Sequence, residues 1–280
     1  RMKEDDKIRL DLETALTDTI NLLDLRMPYS KEFYASVEAA EAHVQEAIYE
    51  KMGGYDEVIA TCIGHTHIDV AWLWTIDQVR QKSCRSFATV LKLMEEYPDY
   101  HFMSSQPKLY SFVKERHPEM YQRIKDRVKE GRWEPEGGMW VEADCNLTSG
   151  ESLVRQFQFG KRFFKEEFDV ENKILWLPDV FGYSGALPQI MAKCGIDYFM
   201  TTKLAWNQFN KMPYDTFKWR GIDGTEILTH LVTTLGVGQS ENDFFTTYNG
   251  ILHPDALIGG WHRYQQKDIN NDILISYGYG

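Results

Sequence analysis

The chain of 280 residues is 43% apolar and 26% charged, which suits a folded protein with a large core. Its formal net charge of −11 and the lack of a basic stripe exclude nucleic acid as an expected partner. No run of about 18 apolar residues occurs, so we expect no membrane contact. The four cysteines stand far apart without a CxxC pair, which favours buried thiols in a reducing compartment over a disulfide framework.

The first part of the chain has a helical pattern. Residues 7–25 carry apolar side chains at helical spacing, and the same spacing returns over 30–51, where Ser30 is placed to cap the helix. We therefore predict a helical lead-in over residues 1–52, followed by one larger domain over residues 53–280.

From residue 58 onward, strand and helix patterns alternate. We predict strands at 58–64, 100–105, 132–135, 138–142, 173–178, 197–202 and 272–278, and a hairpin over 216–232. We predict helices at 76–96, 107–116, 118–130, 149–168 and 186–195. The alternation predicts an α/β fold, a (β/α) barrel-like domain with a parallel seven-stranded sheet.

A cluster of metal-type ligands follows the first strand. His65, His67 and Asp69 stand at alternate positions directly after the apolar run 58–64. Alternate residues of an extended segment point to one face, and ligands bind at the carboxyl edge of parallel strands. The spacing indicates a metal site, with a hydrogen-bonded turn as the alternative.

The strand at 173–178 leads into a second acid, Asp179, in a turn. Alone, this aspartate could cap the turn or the next helix. Because two strand ends carry acids, we expect both acids on the same rim. The two acids, Asp69 and Asp179, would offer two oxygen ligands, and His67 would add one nitrogen ligand. This set suits zinc and would also admit cobalt or manganese.

Four blocks of the sequence match a known family in order. The blocks "HTHIDVAWLW", "EPEGGMWVEADCNLTSGESLVRQ", "LWLPDVFGYSGALPQI" and "FNKMPYDTFKWRG" resemble the catalytic domain of the glycoside hydrolase family 38 α-mannosidases. The resemblance covers about residues 57–280 and is to the cytosolic, vacuolar and bacterial type. It implies exo-acting, zinc-dependent hydrolysis of terminal α-D-mannosyl residues from glycans or small mannosides. It also implies a covalent glycosyl-aspartate intermediate and retention of configuration. The location that it implies for the protein is the cytoplasm or, in a eukaryote, the vacuole.

The resemblance also implies roles at matching positions. His67 and Asp69 would bind one zinc ion, with His65 as a supporting residue. Asp179 would be the catalytic nucleophile and would also contact the zinc. The mannose ring would stack on Trp72.

Further positions complete the expected substrate site. Phe181 would line the same subsite as the mannose ring, and Lys203 falls where the family has a basic residue near the nucleophile. Retention requires a second carboxyl group about 5 Å from the nucleophile. Glu142 and Asp144 are the best candidates within the chain, and we assign both to substrate binding. We expect the acid/base residue and a fourth zinc ligand beyond residue 280, so that a truncated catalytic domain would be inactive alone.

Two other functions compete with this prediction. The HxH pattern also occurs in amidohydrolases, where both histidines bind metal, but later strands offer only His230. A sugar deacetylase with an aspartate and histidine metal site is a related alternative. The chain could also be an inactive carbohydrate-binding fragment. Pairing into a homo-oligomer through an exposed edge is left open by the sequence.

Overall fold

The computed structural model describes residues 7–51, 58–205, 207, 209–210, 212–234 and 246–280. The chain divides into two compact units, the first ending at Ile59 and the second beginning at Ala60. The predicted boundary between residues 52 and 53 lies outside the described residues, as do residues 1–6 of the lead-in and Lys211 of the fourth block. Within the described ranges, no helix is long and apolar enough to cross a membrane.

The first unit contains two helices, α1 (Lys7–Leu22) and α2 (Lys31–Val44), and α2 continues into a π-helical turn, Gln45–Glu50. Ser30 caps α2 as predicted, because its side chain accepts a hydrogen bond from the backbone N–H of Phe33. Helix α1 ends at Leu22 and not at residue 25.

The described residues of the chain form eight strands in two four-stranded sheets. They are β1 (Ile59–His65), β2 (Phe102–Ser104), β3 (Trp133–Pro135), β4 (Ile174–Trp176), β5 (Tyr198–Thr201), β6 (Thr216–Arg220), β7 (Glu226–Leu231) and β8 (Asp272–Tyr277). The orders are β3-β2-β1-β8 and β4-β5-β7-β6. The pairs β1–β2, β2–β3, β4–β5 and β5–β7 are parallel, and β6–β7 is the predicted antiparallel hairpin. The α/β prediction is confirmed, but the single seven-stranded sheet is wrong.

The sheet divides where the chain turns at Gly137. This residue, with φ of 125°, makes only one bridge to Leu175, between β3 and β4. Its carbonyl accepts a hydrogen bond from the backbone N–H of Trp176 at 3.4 Å. A positive φ is a conformation that favours glycine and interrupts the regular ladder. Among the described residues, this bridge is the place where β-pairing passes from one sheet to the other.

In the part of the second unit that the structure describes, six α-helices accompany the strands. They are α3 (Ile76–Glu96), α4 (Pro107–Arg116), α5 (Pro118–Lys129), α6 (Gly150–Phe168), α7 (Leu187–Lys193) and α8 (Pro254–Arg263). The first five agree with the predicted helices to within a few residues. Helix α8 was not predicted, because the adjacent glycines at 259–260 lower the helix propensity of its sequence. Gly260 is buried near Ile275, so a small residue is needed there.

The strand predicted at 138–142 is a loop. The backbone N–H of Trp140 donates to the carbonyl of Gln156 at 3.0 Å. The N–H of Glu142 donates to the side chain of Gln106 at 3.2 Å. These amides are therefore satisfied by a helix carbonyl and a side chain instead of a neighbouring strand.

An aromatic core supports the carboxyl end of β2. Trp133 is buried, and its ring lies 5.1 Å from that of Phe87. The indole N–H of Trp133 donates to the hydroxyl of Tyr110 at 2.9 Å. That hydroxyl in turn donates to the carbonyl of Ser104 at 2.8 Å. The core thus fixes the point at which β2 delivers the residues that follow it.

The four cysteines are free thiols, and no disulfide forms among them. The expectation of buried thiols is confirmed for Cys145, which is buried, and is wrong for Cys62, which is exposed. The exposed thiol lies on β1, whose first four residues are all exposed.

Candidate active site

The carboxyl ends of β1 and β4 lead into residues that face one pocket. Its volume is about 340 Å³. Six of the residues predicted from the sequence line this pocket: His67, Asp69, Trp72, Asp179, Phe181 and Lys203. The two strands belong to different sheets, and the pocket lies where their carboxyl ends approach.

Three side chains in the pocket form a compact set of metal-type donors. The Nε2 atom of His67 lies 3.1 Å from Asp179 Oδ2 and 3.3 Å from Asp69 Oδ1. One donor atom from each of the three residues lies within 4.8 Å of the other two. One imidazole nitrogen with two carboxylate oxygens is a donor set that fits Zn²⁺, and also Co²⁺ or Mn²⁺.

Glu142 lies behind the imidazole ring of His67 and does not line the pocket. Its Oε2 is 2.7 Å from the Nδ1 atom of His67, although the angle departs from hydrogen-bond geometry. Its other oxygen accepts a hydrogen bond from the Ser105 hydroxyl at 2.8 Å. Glu142 therefore contacts the ring nitrogen that does not face Asp69 and Asp179.

Two basic side chains, those of His67 and Lys203, contact the carboxylate of Asp179. Burial raises the pKa of Asp179, but hydrogen bonds and charges from His67 and Lys203 outweigh it, so the pKa lies below its usual value. Lys203 is only 6% exposed, and its ammonium contacts Asp179 Oδ1. The same ammonium lies 4.6 Å from the ring centroid of Phe181. Asp179 is thus held ionised at a partly buried position.

His67 experiences opposing effects on its protonation. Burial lowers its pKa, whereas the charge of Glu142 and hydrogen bonds to Asp179 and Asp69 raise it to about 12. The ring is therefore surrounded by enough negative charge to attract a cation.

Two exposed aromatic rings form apolar walls of the pocket. Trp72 is 65% exposed and Phe181 is 73% exposed. Trp72 packs edge-on against Trp74 at 5.5 Å between centroids, and the indole N–H of Trp74 donates to the carbonyl of Asp69 at 3.3 Å. An exposed ring beside polar groups suits a ligand that is apolar on one face and polar at its edges.

The sequence model described as "Glycosyl hydrolases family 38 N-terminal domain" matches residues 57–280. The chain belongs to this family. The resemblance of the four sequence blocks to family 38 covers the same residues. The matching family model confirms that resemblance.

Curated relatives of this family 38 chain are named as α-mannosidases. It is 42% identical over 218 residues to "Alpha-mannosidase G" of Dictyostelium discoideum, covering 78% of this chain and 19% of that protein. It is 47% identical over 178 residues to "Alpha-mannosidase 2C1" of Homo sapiens, covering 64% of this chain and 17% of that protein. The chain thus spans less than a fifth of the length of these relatives.

A solved structure has a similar fold. The α-mannosidase from Enterococcus faecalis V583 superposes with a TM-score of 0.64 over 79% of this chain and 25% of that protein, at 22% sequence identity. At this level of sequence identity, the comparison shows a similar fold and nothing further.

The structure does not bring Asp144 into the pocket of this family 38 domain. Its side chain is exposed, and its Oδ1 accepts hydrogen bonds from the backbone N–H groups of Asn146 and Leu147 at 2.9 and 2.7 Å. Such a carboxylate stabilises a turn. The substrate contact assigned to Asp144 stays a prediction.

The two other histidines considered from the sequence face away from the donor set. His65 is 3% exposed, and its Nε2 pairs with the backbone carbonyl of Tyr248. His230 lies on β7, with its Nδ1 2.9 Å from the hydroxyl of Thr216. Within the described residues, the metal-type group contains only one histidine, which disfavours the amidohydrolase alternative.

Sequence reasoning missed Tyr248. Its ring lies edge-on to His67 at 5.1 Å and faces the ammonium of Lys203 at 5.4 Å from its centroid. Burial and the charge of Asp179 raise the pKa of Tyr248 to about 12, so its hydroxyl remains a donor at neutral pH. Its place at the pocket depends on tertiary contacts, which include its carbonyl contact with His65 and the hydrogen bond from the Ser276 hydroxyl to the carbonyl of Thr247.

Proposed function

We propose that the complete protein is a zinc-dependent, retaining, exo-acting α-mannosidase that hydrolyses terminal α-D-mannosyl residues. The observation that carries the proposal is the group of His67, Asp69 and Asp179 at the pocket of a family 38 chain. The relatives named as α-mannosidases support mannose as the sugar. The substrate would be a mannose-containing glycan or a small mannoside.

Asp179 would act as the nucleophile. The ammonium of Lys203 helps to keep its carboxylate ionised, which an attacking carboxylate requires. Attack at the anomeric carbon would form a glycosyl ester on Asp179 while a second carboxyl group protonates the leaving oxygen, and water would then release the sugar. Asp69 faces His67 within the metal-type group, and Glu142 does not line the pocket. We therefore assign the acid/base role to neither residue.

The proposed zinc ligands in this chain are His67, Asp69 and Asp179. Zinc in such a site supplies a Lewis acid that binds sugar hydroxyls, and mannose offers two that are cis at C2 and C3. The exposed face of Trp72 would receive the apolar face of the pyranose. The chain's own residues would thus bind the sugar by its apolar face while Asp179 is aimed at the reacting carbon.

We also propose a cytoplasmic location, or a vacuolar one in a eukaryote. The support is the resemblance to the cytosolic and vacuolar type, together with the 44% identity over 187 residues to "Alpha-mannosidase" of Saccharomyces cerevisiae. Cell fractionation followed by immunoblotting tests this assignment.

The function is tested by release of the aryl group from an aryl α-mannoside by the complete protein. We expect release that a chelator abolishes and zinc restores. Asp179→Ala should lower kcat by at least about 10³-fold, because the covalent step loses its nucleophile. The matched control is Asp169→Asn, since Asp169 is exposed at a left-handed position that asparagine accepts. Full activity of Asp179→Ala would refute the assigned nucleophile, and a folded protein without release would refute mannoside hydrolysis.

A further inference from the structure

The Nδ1 atom of His67 and the Oε2 atom of Glu142 lie 2.7 Å apart and are both buried. Neither atom has a hydrogen-bond partner of good geometry among the described residues. Each is therefore the polar group best placed to satisfy the other. A buried polar atom left without a partner costs free energy, so an interaction between these two atoms is favoured.

The carboxylate of Glu142 is itself held by the two residues that follow β2. Its Oε1 accepts hydrogen bonds from the hydroxyl of Ser105 at 2.8 Å and from the side-chain amide of Gln106 at 3.3 Å. These residues follow β2, whose end is anchored by the Tyr110 hydroxyl on the Ser104 carbonyl. The support behind Glu142 thus reaches into the aromatic core.

Gln106 adopts a conformation that is unusual for a residue with a side chain. Its φ is 62°, and it is 2% exposed. Its amide donates to the carbonyl of Ile68 at 2.9 Å and its oxygen accepts from the backbone N–H of Glu142 at 3.2 Å. A non-glycine residue held at positive φ persists only where its surroundings enforce it. Here the contacts that enforce it join the loop after β1 to the loop that carries Glu142.

We propose that Glu142 is a positioning residue that fixes the ring orientation and tautomer of His67, so that Nε2 is presented to a metal ion with Asp69 and Asp179. A carboxylate on the far nitrogen of a metal-binding histidine fixes the proton there and increases the basicity of the ligating nitrogen. Ser105 and Gln106 keep this carboxylate in place. The inference rests on the proposed function, and the role differs from the substrate contact predicted for Glu142 from the sequence.

The test measures metal binding directly in the complete protein. The Kd for Zn²⁺ is determined by competition with a chromophoric chelator, and the absorption spectrum of the Co²⁺-loaded protein reports ligand geometry. We expect Glu142→Gln to weaken Zn²⁺ binding by about 10- to 100-fold and to alter the Co²⁺ spectrum. Glu151→Gln removes the same charge from an exposed site on α6 and should leave both unchanged.

A second variant guards against misfolding of Glu142→Gln. Ser105→Ala removes only the hydroxyl that holds Glu142 Oε1, and we expect binding weaker by about fivefold, the loss typical of one hydrogen bond. Thermal unfolding of the metal-free proteins shows whether each variant folds. If Glu142→Gln folds and its Kd and spectrum are unchanged, the positioning role is overturned and the metal site is unaffected. If Glu142→Gln does not fold, an unchanged Kd and spectrum in folded Ser105→Ala would have the same meaning. Failure of the unaltered protein to bind Zn²⁺ or Co²⁺ would overturn the metal-dependent function itself, and the positioning role with it.

Discussion

Both ring nitrogens of His67 face carboxylates, Nε2 those of Asp69 and Asp179, and Nδ1 that of Glu142. The raised pKa of this histidine reflects that surrounding charge. Metal binding through Nε2 requires that this atom carry no proton, so a metal ion and a proton compete for it. The same three carboxylates that stabilise an imidazolium would stabilise a divalent cation more strongly because its charge is larger.

At the residue scale, Trp72 is tested by its effect on substrate binding. Because 65% of its surface is exposed, truncation should cost the fold little. We expect Trp72→Ala to raise KM for an aryl α-mannoside by about tenfold, through loss of the stacking face, and Trp72→Phe to raise it less. Steady-state kinetics of the complete protein measure this. Tyr97→Ala, at a residue 59% exposed and outside the pocket lining, is the control. An unchanged KM in Trp72→Ala would remove the tryptophan from the sugar site.

At the element scale, the junction between β3 and β4 depends on Gly137. A Cβ added at this residue would lie 2.6 Å from the Cβ of Ser105, and its φ of 125° is strained for any side chain. The junction and the support of Glu142 therefore share one tight contact. A change at Gly137 should disturb both.

We expect Gly137→Ala to lower the free energy of unfolding by about 2–4 kcal/mol, from backbone strain and overpacking together. Gly131→Ala is the matched control, because Gly131 also has a positive φ, of 75°, but nothing lies within 4 Å of an added Cβ. It should cost only about 1 kcal/mol. Urea denaturation of the three proteins measures both losses. Equal losses would mean that the contact with Ser105 relaxes without cost.

Among the elements, the sequence predicted those whose pattern is local. Helix α3 was predicted at 76–96, and Thr75 and Gln78 form its capping box. The β6–β7 hairpin was likewise predicted from two strand patterns around a glycine turn. Helix α8 and the loop at 138–142 were not, because glycines obscured the first and distant hydrogen-bond partners determine the second.

The candidate site divides in the same way between local and distant causes. His67 and Asp69 were found from their spacing after one strand, and Asp179 from its place after another. The support given by Glu142 could not be derived, because it depends on how the loop at 138–142 meets the end of β2. Tyr248 was missed because tertiary contacts bring it to the pocket, among them its carbonyl contact with His65 and the hydrogen bond from Ser276 to the carbonyl of Thr247. Sequence spacing thus identifies candidate metal ligands after one strand, whereas the residues that support them depend on tertiary structure.

At the scale of the whole molecule, buried histidines make stability depend on pH. Burial lowers the pKa of His230 to about 4, from its ordinary value of 6.5. The unfolded chain therefore binds a proton at this residue below 6.5, whereas the native state binds it only near 4. Stability from this residue is present above pH 6.5 and is lost as the pH falls from 6.5 to 4.

His230→Gln should remove this dependence while keeping a polar partner for Thr216. Between about pH 7 and about pH 4.5, we expect the free energy of unfolding of the metal-free protein to fall by about 2 kcal/mol less in the variant than in the unaltered protein. His65, whose pKa is also lowered to about 4, is present in both proteins, so its contribution cancels. His101→Gln, at an exposed histidine, is the control for the substitution itself. Urea denaturation at the two pH values measures the difference, and parallel curves for His230→Gln and the unaltered protein would show that His230 is protonated equally in the folded and unfolded states.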